Sequence, residues 1–188
     1  MAETGGLRER KRAQTRRALQ QAAITLFLKR GFDQVTVAEI ADKANVALTT
    51  LFTYYPAGKV ALVFDREEDR GAALTQAIEH RPAGTDPLSA VEAFMASRLP
   101  FAGDHGERSE LLDLIYSTPQ LRAHVRQNWI DCEDILATEL TANDGLDQSE
   151  ARALARFILE SPDIAAREPS PGAALQTTFT NLRRGWGL

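Results

Sequence analysis

Residues 36–59 read TVAEIADKANVALTTLFTYYPAGK, two short stretches of helical periodicity around a tight break at Lys43–Val46. In the first, Val37, Ile40, Ala41 and Ala44 recur at the spacing that places side chains on one helix face. Thr36 followed by Glu39 is a capping-box pattern, which gives that helix a chemically specified start. In the second, Val46, Leu51 and Tyr55 turn inward, leaving Leu48, Thr49, Thr53 and Tyr54 outward. Two short helices joined this closely form a unit whose second member can enter a major groove.

Upstream of this pair, the spacing predicts a first helix from about Glu9 to Arg30, after a disordered arm over residues 1–8. Leu19, Ala22, Ala23, Leu26 and Phe27 form its inward face, and Gly31 is a suitable stop. Arg8, Arg10, Lys11, Arg12, Arg16 and Arg17 crowd its beginning, where positive charge opposes the helix dipole. The cluster either serves a polyanion or is a solvated tail. The charge division favours the polyanion. Residues 1–60 hold ten Lys/Arg against five Asp/Glu, whereas residues 61–188 hold twelve against twenty-one. A basic first third on an acidic remainder is the pattern of a nucleic-acid-binding module joined to a non-binding domain.

Downstream, every periodic stretch reads as helix, so the expected class is all-α. A fourth helix is expected from about Lys59 to Ile78, with charges at Glu67, Glu68 and Asp69. Asp86–Pro87, Thr118–Pro119 and Ser170–Pro171 each give a cap followed by proline at the first helical position. Leu121, Val125, Trp129, Cys132, Leu136 and Leu140 predict one long amphipathic helix. Another is expected from about Asp147 to Ser161, with residues 162–169 as a loop. The expected division is a head over 1–58 that holds the basic cluster and the helix pair, and a helical domain over 59–188.

No phosphate-cradling glycine loop, metalloprotease helix or nucleophile elbow occurs in the sequence. His80, His105 and His124 make no metal-ligand spacing with Cys132, so neither catalysis, metal nor cofactor is expected. Cys132 reads as a small core residue rather than a redox sensor. There is no apolar run long enough to span a membrane and no hydrophobic segment near the N-terminus. A single cysteine agrees with a cytoplasmic location.

Residues 12–59 resemble the N-terminal domain of the TetR family of bacterial transcriptional regulators. The matching features are Arg12, Thr15, Arg16, Ala22–Ala23, Leu26–Phe27, Gly31–Phe32, Val35–Thr36–Val37, Ile40–Ala41, Ala44–Asn45–Val46, Thr50–Leu51–Phe52, Tyr55–Pro56 and Lys59. Asn45 stands where the family has glycine, Ala47 where it has a capping serine, and Phe52 where tyrosine is common. One residue is added between Pro56 and Lys59.

The resemblance implies a homodimeric repressor of a palindromic double-stranded DNA operator, released when a small apolar effector enters the C-terminal domain. It assigns DNA binding to the head over 1–58, and ligand binding with dimerisation to the helical domain over 59–188. Expected DNA contacts are Arg8, Arg10, Lys11, Arg12, Arg16, Thr36, Leu48, Thr49, Thr50, Thr53, Tyr54 and Lys59, with Thr50 and Tyr54 meeting the backbone by resemblance. Candidate effector-pocket residues are Phe94, Met95, Arg98, Phe101, Glu110, Leu112, Tyr116, His124, Asn128, Trp129 and Cys132; ordinary core is the alternative for the apolar ones. Ala151, Leu154, Ala155 and Ile158, with Leu175, Phe179, Leu182 and Trp186, either pair across a two-fold or close the core of one chain. A helical interaction or carrier module that keeps the helix pair as scaffold is the alternative function.

Overall fold

The computed structural model describes residues 3–64, 69–98, 100–101, 110–144 and 146–187. Eleven helices and no strand occur among the described residues. The chain forms two compact units, one of Met1–Glu67 with Ser109–Gln120, the other of Glu68–Arg108 with Leu121–Leu188.

The first unit contains α1 (Glu3–Arg30), α2 (Val37–Lys43), α3 (Leu48–Tyr54), α4 (Lys59–Val63) and α7 (Glu110–Ser117). Leu19, Ala23 and Phe27 of α1 are buried with Ile40, Leu51 and Leu62. Phe32 and Val35 fill the corner after α1, and the Phe27 and Phe32 ring centroids lie 4.9 Å apart. Gly31 sits at φ 83°, the left-handed conformation that ends a helix without a Cβ penalty, and its N–H donates to Phe27 O at 2.8 Å. Helix α1 continues through Gly5 and Gly6 to Glu3, so Arg8 is helical and the expected arm is shorter than residues 1–8. Nothing in the structure explains why two glycines are accommodated there.

The second unit contains α5 (Arg70–Glu79), α6 (Pro87–Ala96), α8 (Pro119–Ile130, from Leu121 onward), α9 (Glu133–Asp144), α10 (Gln148–Ala165) and α11 (Pro171–Trp186). Three expected boundaries change. The fourth helix ends at Val63, Phe64 leaves helical geometry, and a new helix starts where the Asp69 carboxylate accepts the Ala72 N–H at 3.0 Å. The charged stretch at 65–68 lies outside the described residues. The long helix after Thr118 breaks at Asp131–Cys132, and Glu133 and Asp134 begin α9 where acidic side chains suit the helix dipole. Its apolar row nevertheless stays in phase, so Leu121, Trp129, Cys132, Leu136 and Leu140 are all buried.

The third change concerns Pro162, which lies inside α10 instead of ending it. Proline cannot donate to the carbonyl one turn back, which here belongs to Ile158. The buried Ser161 hydroxyl donates to that oxygen at 2.6 Å and satisfies it. Ion pairs hold α10 to its neighbours. Arg122 makes a two-pronged contact with Asp163 at 2.7 and 2.6 Å, Arg126 pairs with Glu160, and Arg156 reaches Glu133 at 2.6 Å. The Asp163 carboxyl is held below its ordinary pKa chiefly by the Arg122 hydrogen bonds.

Candidate nucleic-acid interface

Helix α2 starts with a complete capping box. Thr36 Oγ1 accepts the Glu39 N–H at 3.2 Å, and Glu39 Oε2 accepts the Thr36 N–H at 2.8 Å. Arg30 adds an ion pair to Glu39 at 2.6 Å. The Thr36 backbone N–H, then Arg30, then the Thr36 hydroxyl lower the Glu39 pKa from the ordinary 4.5 to about 2. The expected α2 start is thus present, but Thr36's hydroxyl already serves the fold.

The turn is a Schellman motif. Val46 N–H reaches Ala41 O and Asn45 N–H reaches Asp42 O, both at 3.0 Å, while Asn45 takes φ 54°. Asparagine tolerates this left-handed backbone better than most side chains, which is why it can occupy a turn position suited to glycine. At Ala47 the backbone is extended as an N-cap should be, yet no side-chain cap bond exists. Alanine leaves the first N–H groups of α3 without a side-chain acceptor.

Buried anchors orient α3. Leu51 is 0% exposed, and Tyr55, directly after the helix, is buried with its hydroxyl donating to Arg16 O at 3.4 Å. Leu48 and Phe52, 41% and 44% exposed, border that buried side, and the exposed Thr49 and Thr53 stand opposite it. Thr50 and Tyr54 are half-buried at its flanks. Thr53 Oγ1 donates to Thr49 O at 2.9 Å, so that proton is engaged within the helix.

The basic residues divide into two sets. Arg8, Arg10, Lys11 and Arg12 lie exposed along α1. Arg16 and Lys59 instead support the fold: the Arg16 guanidinium lies 5.4 Å from the Tyr55 ring centroid, and Lys59 Nζ donates to Phe32 O at 2.8 Å over the Phe32 ring.

A profile described as bacterial regulatory proteins of the tetR family matches residues 19–65. The HTH-type transcriptional regulator TcmR of Streptomyces glaucescens is 31% identical over 150 residues, which cover 76% of this chain and 66% of that protein. The chain belongs to the TetR family. It is a DNA-binding transcription regulator of the helix-turn-helix type. Among solved structures, a TetR-like regulator from Rhodococcus sp. RHA1 aligns at TM-score 0.54 and 19% identity, covering 92% of this chain and 96% of that one. Thermus thermophilus FadR, a TetR-family repressor solved with lauroyl-CoA, aligns at TM-score 0.51 and 24% identity over 90% and 91% of the two chains. These two likenesses show the fold alone.

The other expected sites of this TetR-family chain fare differently. Glu110, Leu112 and Tyr116 lie on α7 in the first unit, whereas the other eight effector-pocket candidates lie in the second. Of these, Met95, Phe101, Trp129 and Cys132 are buried. Phe94 meets the Trp129 ring edge-on at 6.2 Å between centroids, the Arg70 guanidinium lies 4.4 Å from the Trp129 ring centroid, and the Arg98 guanidinium lies 4.0 Å over Phe94. His124 and Asn128 are half-buried on α8, and the Asn128 carbonyl accepts from Cys132 Sγ at 3.6 Å. Burial raises the Cys132 thiol pKa, with Arg70 opposing, which disfavours the reactive thiolate.

The expected dimer stripe needs a correction. Ala151, Leu154, Ala155, Ile158, Leu175 and Phe179 are buried within one chain and make its core; Leu182 and Trp186 are half-buried. The large apolar residues that α10 leaves in water are Phe157 and Ile164, 58% and 50% exposed. Sequence reasoning passed over these two and, as a contact, Phe52. The available signal was an apolar residue falling out of phase with the main stripe.

Proposed function

We propose that this chain is a sequence-specific repressor that grips a two-fold symmetric DNA site as a homodimer and releases it when a small, largely apolar molecule binds. Residues 1–58 carry the DNA-reading function, and residues 59–188 carry effector binding and dimerisation. The observation that carries this reading is the geometry of α3, whose anchors Leu51 and Tyr55 are buried while Leu48, Thr49, Phe52 and Thr53 face outward. Arg8, Arg10, Lys11 and Arg12 supply sequence-independent affinity by neutralising phosphates.

Exposed faces on two helices support a two-fold contact between copies. Phe157 and Ile164, two turns apart on α10, lie on the outer side of the helix, and α11 exposes the small residues Ala173, Thr177 and Thr180. Small and apolar faces of two helices, doubled by symmetry, make a four-helix contact. Release requires an effector with unequal affinity for two conformations, since equal affinity shifts nothing. The setting is the cytoplasm and the action is binding, not catalysis; no helix among the described residues is long and apolar enough to cross a membrane.

Duplex selection with the purified chain tests this reading. The expected outcome is a palindromic site whose affinity falls when extracted cellular small molecules are added. A protein that enriches no duplex is not the proposed regulator, and ligand binding that leaves DNA affinity unchanged removes the switch.

A further inference from the structure

Helix α3, LTTLFTY, contains no charged side chain and no amide. It therefore lacks the two pairings that distinguish purines most sharply in the major groove: a guanidinium fork on guanine and an amide on adenine. Hydroxyls remain on Thr49, Thr50, Thr53 and Tyr54, but a hydroxyl serves donors and acceptors alike and discriminates weakly. Two large apolar side chains are exposed with them. Leu48 and Phe52, 41% and 44% exposed, stand one turn apart as an i,i+4 ridge. The buried Leu51 and Tyr55 fix the helix with this ridge along the edge of the buried side, open to solvent.

Of the groups on base-pair edges in the major groove, the thymine C5-methyl is the apolar one. Four residues of helix rise about 6 Å, close to two base-pair steps of about 3.4 Å each. We propose that Leu48 and Phe52 read thymine methyl groups, so that each half-site is specified by T·A pairs up to two steps apart and not by guanine contacts. This rests on the DNA-reading function proposed above. It makes Leu48 and Phe52 the specificity-determining residues, with the hydroxyls positioning the helix. A methyl on C5 of cytosine occupies the same place in the groove, so 5-methylcytosine offers the same contact in a G·C pair.

The test uses the full chain and the duplex it selects. Each thymine of a half-site is replaced singly by uracil, which pairs identically but lacks the methyl. Affinity is expected to fall roughly fourfold at each contacted thymine, the effect of one buried methyl group, and to stay level elsewhere. Where a contacted T·A pair is changed to C·G, methylating C5 of that cytosine is expected to raise affinity by a similar factor. Phe52→Ala removes the uracil sensitivity at one position and Leu48→Ala at the other, while both variants remain folded with a cooperative melt because neither side chain belongs to the fully buried core. A flat uracil scan on a selected duplex overturns the proposal, as does an unchanged selected site in the Leu48→Ala, Phe52→Ala double variant. A chain that selects no duplex overturns the DNA-reading function itself, and this assignment with it.

Discussion

Helices α3 and α10 each expose two large apolar side chains, yet the surroundings differ in kind. On α3, Leu48 and Phe52 sit one turn apart among hydroxyls, on a seven-residue helix whose N-cap makes no side-chain bond. On α10, Phe157 and Ile164 sit two turns apart on an eighteen-residue helix. That helix has a full capping box, Asp147 with Glu150, ion pairs from Arg122 and Arg126 beside it, and one from its own Arg156 to Glu133. A short, lightly held helix with a narrow ridge suits insertion into a groove, where the partner supplies the order. A long, tied helix suits a permanent contact, where little further ordering cost falls on association.

That contrast is broken most directly on α10. Phe157→Glu with Ile164→Glu places charges on side chains already in water, so the fold is expected to persist. Sedimentation should then give a monomer, and palindrome affinity should fall by roughly 10²-fold or more, since linked binding of two heads is lost. A persisting dimer puts the contact elsewhere. The next effect concerns the anchor of α3. Leu51→Ala removes a fully buried side chain and should destabilise the first unit by about 2–5 kcal/mol, measured by thermal melting. A loss below 1 kcal/mol would show that α3 is not held as described.

A gain should come from Ala47→Ser. The extended backbone at φ −65° and ψ 146° lets a serine hydroxyl accept an α3 N–H, adding about 1 kcal/mol and raising the melting temperature by several degrees. An unchanged melt would mean that α3 needs no cap. The smallest effect is on acid stability. Because the folded Glu39 pKa lies below its ordinary value, the stability it contributes is fully present above pH 4.5 and is lost as pH falls through about 2. Glu39→Gln should flatten that part of the pH–stability profile. A variant that retains the full acid loss would assign it to other carboxylates, Asp163 first.

The parts legible in the sequence were those encoded within one turn. Thr36 and Glu39 cap each other across three residues, Asp86–Pro87 opens α6, and Gly31 ends α1. Periodicity also identified which residues share a row. It did not say which row faces the core when a helix carries two, so the richer stripe of α10 stood open between a two-fold contact and the core, and burial draws it inward. Phe52 escaped because aromatic side chains are ordinarily counted as core. Pro162 stayed inside α10 because a serine one residue earlier satisfies the carbonyl that proline cannot serve. Trp129 and Leu136 remain in phase across the Asp131–Cys132 turn, so nothing in their spacing marked the break. The effector candidates rested on chain proximity and hydrophobicity, which do not distinguish a cleft wall from core.

The most direct measurement compares one palindromic duplex with a duplex carrying a single half-site, titrated with the full chain while stoichiometry is followed by mass. Two heads on one two-fold should bind the palindrome about 10²-fold or more tightly, with two chains per duplex. Equal affinity for both duplexes, with one chain on each, would contradict the account.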